Sequence, residues 1–128
     1  MSGNAPGPGF APGRHPIQGY GADGFRFAGM AHPGSVMALP SGIRAWAVKD
    51  LLAVSDTDLA PLMDERDAIE ILIIGSGKKA MLPIGPLADR LREAGFRPDF
   101  MDTPAAARTY NVLLAEDRRV AALLISMV

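Results

Sequence analysis

Short apolar runs alternate with segments of helical spacing along the second half of the chain. Residues 69–74 are apolar and largely β-branched apart from one glutamate, which predicts a central strand covered on both faces. Pro86 is followed by an apolar stripe at helical spacing, and Gly95 stands just beyond that stripe. Because proline is favoured in a first helical turn and glycine after the last one, a helix is predicted between them.

A second strand and a second helix follow. Residues 96–101 predict the strand, and Pro98 favours an outer or strand-start position because it cannot donate to a ladder. Asp102 or Thr103 is predicted to cap the next helix, since either side chain can accept from free backbone N–H groups. After a polar break, residues 120–125 predict the closing strand. The second half therefore predicts the order β-α-β-α-β.

The first half of the chain shows shorter apolar alternations. Residues 25–28 predict one strand, and residues 35–39 and 43–48 predict two more around a Pro-Ser-Gly turn. Trp46 lies in the last of these strands, and its large apolar ring is expected to pack in the core. Together these segments predict an antiparallel β-hairpin or meander.

A capping-box spacing, Ser55 followed three residues later by Asp58, predicts a short helix over residues 56–64. Helices then cover both faces of a sheet that contains parallel and antiparallel strands. The fold class expected is α/β, with three layers and a mixed central sheet. An N-terminal hairpin or meander is followed by β-α-β-α-β.

Glycine and proline alternate with small residues over residues 1–17. Such a segment buries too little apolar surface to offset the entropy of ordering it, so a disordered tail is predicted. Residues 18–128 are then expected to form a single α/β domain. Deletion of residues 1–16 should leave the thermal stability nearly unchanged.

The composition excludes several classes of function. The chain has 13 basic and 14 acidic residues and a formal net charge of -1, which offers no positive field for nucleic acid. It has no cysteine, which excludes a thiol nucleophile and cysteine-bound zinc. His15 and His32 lack a third nitrogen or sulfur ligand. We therefore expect no metal and no cofactor, and the absence of catalytic pairs favours a protein that is not an enzyme.

No apolar run approaches the roughly 20 residues that a membrane-spanning helix needs. The N-terminus also lacks the charged start and apolar block of a secretory signal peptide. The expectation is a soluble cytoplasmic protein that is not integral to a membrane, with peripheral association left open.

A glycine loop follows the predicted central strand. Residues 75–80, GSGKKA, match the dinucleotide fingerprint G-x-G-x-x-A, and Asp102 ends the next strand, where a ribose acceptor would stand. However, Pro83 and Pro86 prevent a helix from starting at the glycines. The loop is read instead as a tight exit from a buried strand, or as a site for an anion or a partner's carboxylate beside Lys78.

One longer run carries a family resemblance. Residues 101–122 read MDTPAAARTYNVLLAEDRRVAA, and with the strand and loop of residues 71–77 they resemble a small α/β family. That family includes the mitochondrial complex I assembly factor three and the Mth-type adipogenesis-associated domain protein. The resemblance covers residues 20–125, and Ala107 stands where many relatives carry cysteine. It implies a three-layer domain and a role in building a membrane-associated respiratory complex.

The sequence thus favours a non-enzymatic interaction protein that assists complex assembly and binds a protein partner. The alternative is a small-ligand binder or enzyme that uses the 75–79 loop with Asp102 and Arg108. Structural roles are also predicted, such as a bond from Asn111 to the closing strand and an ion pair of Glu116 with Arg119 or of Arg108 with a nearby carboxylate. The candidate surface comprises Gly75, Ser76, Gly77, Lys78, Asp102, Thr103, Arg108, Asn111, Glu116 and Arg118.

Overall fold

The computed structural model describes residues 10–21 and 24–127. Its strands are β1 (Phe10–Pro12), β2 (Phe25–Phe27), β3 (Met30–His32), β4 (Ser35–Leu39), β5 (Gly42–Trp46), β6 (Ile71–Gly75), β7 (Pro98–Met101) and β8 (Val120–Leu124). Its helices are α1 (Asp56–Asp64), α2 (Pro86–Glu93) and α3 (Thr103–Ala115), and a short 3-10 turn spans Arg66–Ala68.

Six strands form one mixed sheet in the order β1-β5-β4-β8-β6-β7. The pairs from β1 to β8 are antiparallel, whereas β6 runs parallel to both β8 and β7. Strand β7 lies at the outer edge, where the missing N–H of Pro98 costs no ladder bond. The predicted α/β class with a mixed central sheet is confirmed.

The two faces of the sheet carry separate apolar layers. Successive side chains of a strand point to opposite faces, so Leu72 and Ile74 pack with α1 and α2, while Ile73 packs with α3. Trp46 belongs to the first layer and donates its indole N–H to the Asp58 carbonyl at 2.9 Å. The tryptophan is therefore a core residue, and the fold has three layers.

The hairpin of β2 and β3 lies outside the main sheet and covers the α3 layer. The predicted strand at residues 25–28 therefore does not continue into β4, as a meander would require. Ala28 and Gly29 both have positive φ, 51° and 76°, and form the two-residue turn that folds β2 back onto β3. The predicted hairpin of residues 35–39 and 43–48 is present as β4 and β5.

The predicted tail of residues 1–17 is ordered from Phe10 onward. Strand β1 pairs with β5 along Phe10–Pro12, and Ala11 and Ile17 are buried. Backbone pairing with an existing sheet edge supplies the hydrogen bonds that a segment this poor in apolar periodicity cannot make alone. Residues 1–9 of the predicted tail lie outside the described residues.

Candidate functional site

Thr103 joins the ends of three strands at the carboxyl edge of the sheet. Its hydroxyl accepts from the Gly77 N–H at 2.8 Å and donates to the Ile125 carbonyl at 2.8 Å. Its own N–H donates to the Gly77 carbonyl at 2.8 Å, and the residue is fully buried. The hydroxyl therefore ties the loop after β6 to the start of α3 and the end of β8.

Gly75 is required by close packing rather than by a ligand. A Cβ at this position would lie 2.9 Å from Leu124 Cδ2 and 3.1 Å from the Ala106 Cβ. The hydroxyl of Ser76, next in the loop, donates to the Lys79 carbonyl at 2.5 Å. Helix α2 does not begin until Pro86, so no helix N-terminus lies at the glycines and the dinucleotide interpretation has no support.

Asp102 and Arg108 are each engaged in a separate contact. Asp102 is the N-cap of α3 and accepts from the Ala105 N–H at 2.8 Å. Arg108 donates from Nη1 to the Tyr20 hydroxyl at 2.9 Å. Lys78 is exposed at the loop tip and makes no ion pair with any described residue.

The middle of α3 fastens the N-terminal segment. Asn111 accepts from the Ile17 N–H and donates to the Ile17 carbonyl, both at 2.8 Å. The Tyr110 hydroxyl donates to the His15 carbonyl at 3.2 Å. Burial raises the pKa of Tyr110 to about 12, although the positive charge of Arg14 acts to lower it. The predicted bond of Asn111 to the closing strand is therefore wrong, because its partner is the segment before β2.

Glu116 and Arg118 lie at the opposite, amino edge of the sheet. Arg118 donates from Nη2 to Glu70 Oε2 at 3.0 Å, and this hydrogen bond holds the pKa of the Glu70 carboxyl below its ordinary value. The ion pairs among the described residues at this edge join Arg118 to Glu70 and Arg14 to Asp117, and the predicted pair of Glu116 with Arg119 is not among them. Glu116 instead ends α3 as its C-cap.

The ten residues predicted as one surface thus occupy three places along α3. Its 13 residues span about 20 Å from the carboxyl edge to the amino edge of the sheet. The loop with Asp102 and Thr103 lies at one end, Arg108 and Asn111 lie midway, and Glu116 and Arg118 lie at the other. Because these places are separate, the ten residues do not converge on one site. Most of them also form hydrogen bonds within the chain.

Within the part of the chain that the structure describes, two sizeable clefts are lined by other residues. One, of about 480 Å³, lies beside Trp46, Lys49 and Ser126. The other, of about 340 Å³, lies between the loop that precedes α1 and the loop that precedes α2, with Leu51, Met81 and Leu87 in its wall. We call this second cleft the α2 groove. Neither Asp102 nor Arg108 lines either cleft.

The sequence interpretation missed an exposed apolar cluster around the α2 groove. Leu52 is 79% exposed and Ile84 is 69% exposed, and both line the groove. Leu82, in the same loop as Ile84, is 71% exposed. For Leu82 and Ile84 the signal in the sequence was the presence of large aliphatic residues beside Pro83 and Gly85, outside any periodic segment, whereas Leu52 lies in a loop without glycine or proline.

Comparison with known proteins identifies the family. Residues 17–125 match the family described as a protein of unknown function, DUF498/DUF598. The chain belongs to this family. The DUF498/DUF598 chain is 40% identical over 121 residues to an uncharacterized protein of Rhodobacter capsulatus, covering 94% of this chain and 90% of that one.

Two other relatives carry descriptive names. A crystal structure described as an outer membrane protein from Bartonella henselae has a TM-score of 0.81 and 45% identity, covering 90% of this DUF498/DUF598 chain and 97% of that one. The NADH dehydrogenase [ubiquinone] 1 alpha subcomplex assembly factor 3 of Danio rerio is 30% identical over 109 residues, which are 85% of this chain and 63% of that one. The predicted family is therefore confirmed. Among the described residues, no helix is long and apolar enough to cross a membrane.

Proposed function

We propose that the protein is a non-enzymatic interaction protein that assists assembly of a respiratory or other membrane-associated complex. The observation that carries the proposal is the exposed apolar cluster of Leu52, Leu82 and Ile84. Large exposed apolar patches on soluble domains mark surfaces that bind other molecules. The similarity to named assembly factors supports the same role, and we place the protein in the cytoplasm.

The hydrogen bonds of the polar candidates favour this role over chemistry at the glycine loop. Thr103 Oγ1 and Asp102 Oδ1 accept hydrogen bonds from backbone N–H groups, and Arg108 donates to the Tyr20 hydroxyl. A catalytic site needs a nucleophile, a base and an acceptor site within reach of one another. Asp102 and Arg108 line neither of the two clefts described above, which counts against the alternative of a ligand site that uses the loop with these residues.

Deletion of the gene in the source organism tests the proposal when membrane complexes are separated on native gels. We expect at least one assembled complex to decrease, and the tagged protein to be recovered with subunits of that complex after mild crosslinking. Recovery of the protein alone, together with unchanged membrane complexes in the deletion strain, would overturn the proposal.

A further inference from the structure

The cleft beside Trp46 has the composition of a small-molecule site. Its volume of about 480 Å³ lies within the range of ligand pockets in proteins, about 300–1,000 Å³. Pro33, Trp46 and Val48 contribute apolar surface to its wall. Ser35 and Lys49 contribute a hydroxyl and an ammonium group. We call it the Trp46 cleft, and its mixture of apolar wall and few polar groups is typical of sites that bind small organic molecules.

The end of the β4–β5 ladder places the two sides of the Trp46 cleft together. Ser35 is paired directly with Trp46, where β4 begins and β5 ends. Directly paired residues of an antiparallel ladder place their side chains on the same face of the sheet. Because the indole N–H of Trp46 already donates to the Asp58 carbonyl at 2.9 Å, the tryptophan offers the cleft its apolar ring.

Ser35 is a buried polar residue, 2% exposed, whose hydroxyl is only partly engaged. Its Oγ accepts from the Ser126 N–H at 2.9 Å. A hydroxyl also has one proton to donate, and that proton has no acceptor among the described residues. A buried donor without an acceptor costs free energy, and an acceptor atom on a bound molecule would remove that cost.

Lys49 gives the Trp46 cleft a positive charge. It follows β5 by three residues, is exposed, and makes no ion pair with a described residue. Among the described residues that line the cleft, Lys49 is the one with a charged side chain. No lining carboxylate therefore balances it, which favours a ligand with an anionic group over a neutral or cationic one.

We infer that the Trp46 cleft binds a small organic acid, a molecule with one carboxylate on an apolar body. The apolar body lies against Trp46 and Val48. The carboxylate accepts from the Ser35 hydroxyl and meets the Lys49 ammonium group. This site is separate from the exposed apolar cluster that carries the proposed function, so the inference goes beyond that function and does not depend on it.

Trp46 is the single tryptophan of the chain, so its fluorescence reports on this cleft directly. Octanoate, which does not absorb where tryptophan is excited, is the probe for a titration of the full chain. We expect a saturable change in fluorescence with a Kd of about 1 mM or tighter. Hexanoate should bind about tenfold more weakly because two fewer methylene groups are buried.

Two further compounds separate charge from apolar contact. Octanol lacks the charge and inorganic phosphate lacks the apolar body, so each should bind at least about threefold more weakly than octanoate. In NMR spectra, octanoate should shift the amides of residues 34–35 and 46–49.

Variants test the polar groups of the cleft. Lys49→Gln should weaken octanoate binding at least about threefold, and Lys49→Arg should retain it. Ser35→Ala should weaken it about fivefold, because the ligand loses a donor. Lys78→Gln, at an exposed lysine outside the cleft, is the matched control and should leave the affinity unchanged. Amide spectra establish that each variant folds, and Lys49→Gln decides the question if Ser35→Ala does not.

Three results would overturn the inference: no saturable change with octanoate up to about 10 mM, equal affinity for octanol, or unchanged affinity in Lys49→Gln. So would amide shifts confined to the surroundings of Leu52 and Ile84, since the ligand would then occupy the α2 groove. None of these results involves membrane complexes, so the proposed function would stand if this site proved wrong.

Discussion

Asn111 on α3 and Ile17 in the N-terminal segment exchange two hydrogen bonds of 2.8 Å, so that one side-chain amide pairs with both backbone groups of a single residue. The Asn111 amide thus forms with the Ile17 N–H and carbonyl the two hydrogen bonds that a neighbouring strand would otherwise make. The Ile17 side chain is buried in the α3 layer, so the contact fixes both the backbone and the packing of the segment. Asn111 is therefore a structural residue.

Asn111→Ala should lower the free energy of unfolding by about 1–3 kcal/mol, because the partly buried N–H and carbonyl of Ile17 lose their partners. Thermal and denaturant melts of the purified variant measure this loss. Val112→Ala, at the exposed neighbouring position, is the control and should change stability far less. Stability equal to that of the wild type in Asn111→Ala would mean that the pairing with Ile17 contributes nothing.

Thr103→Val should also destabilise the fold by about 1–3 kcal/mol. The substitution keeps the side-chain shape but removes the hydroxyl, which leaves the Gly77 N–H and the Ile125 carbonyl without that partner. Thr103→Ser keeps the hydroxyl and loses a methyl group, so its cost should be about 1 kcal/mol. If the valine variant proves as stable as the serine variant, the hydroxyl does not join the three strand ends.

Stability should fall at high pH because of Tyr110. Its pKa is about 12 in the folded chain and about 10 in an unfolded one, so the folded state holds a proton that the unfolded state releases. The resulting stabilisation is complete below about pH 10 and is lost as the pH rises through about 12, amounting to about 2–3 kcal/mol. Melts of Tyr110→Phe should lack this decrease, and a decrease equal to that of the wild type would assign it to another group.

The Glu70 carboxyl should titrate below its ordinary pKa because Arg118 donates to it. A lowered pKa in the folded state gives stability that is present above the unfolded pKa and is lost as the pH falls through the folded one. Both side chains are exposed, so the effect on stability should be small and weakened by salt. An NMR titration of the carboxyl should show its pKa rising in Arg118→Ala, and no change would exclude the hydrogen bond as the cause.

Local chemistry accounts for the features that were predicted correctly. Ser55 and Asp58 make both bonds of a capping box, and Asp102 caps α3, because each of these contacts lies within one helical turn. Pro98 indicated an edge strand because its missing N–H excludes it from the middle of a sheet. Such signals depend on neighbours in the sequence and need no knowledge of the fold.

Features that depend on distant partners were missed. The N-terminal segment has no apolar period of its own, and its order comes from Asn111 and Tyr110, which lie more than ninety positions away in the sequence. The exposure of Leu52 and Ile84 likewise depends on how two loops meet beside α2. The resemblance to a family identified the fold, but it did not show that its motif residues bond mainly within the chain.

The most direct test of the whole account is the amount of assembled membrane complex in a deletion strain that expresses variants of the protein. Wild-type protein and Val112→Ser should restore assembly, and Leu52→Ser with Ile84→Ser should not, although both variants accumulate as folded protein. The account would be contradicted if the Leu52 and Ile84 variant restored assembly fully while substitution of Lys78 alone abolished it. That result would indicate that the glycine loop is the functional surface.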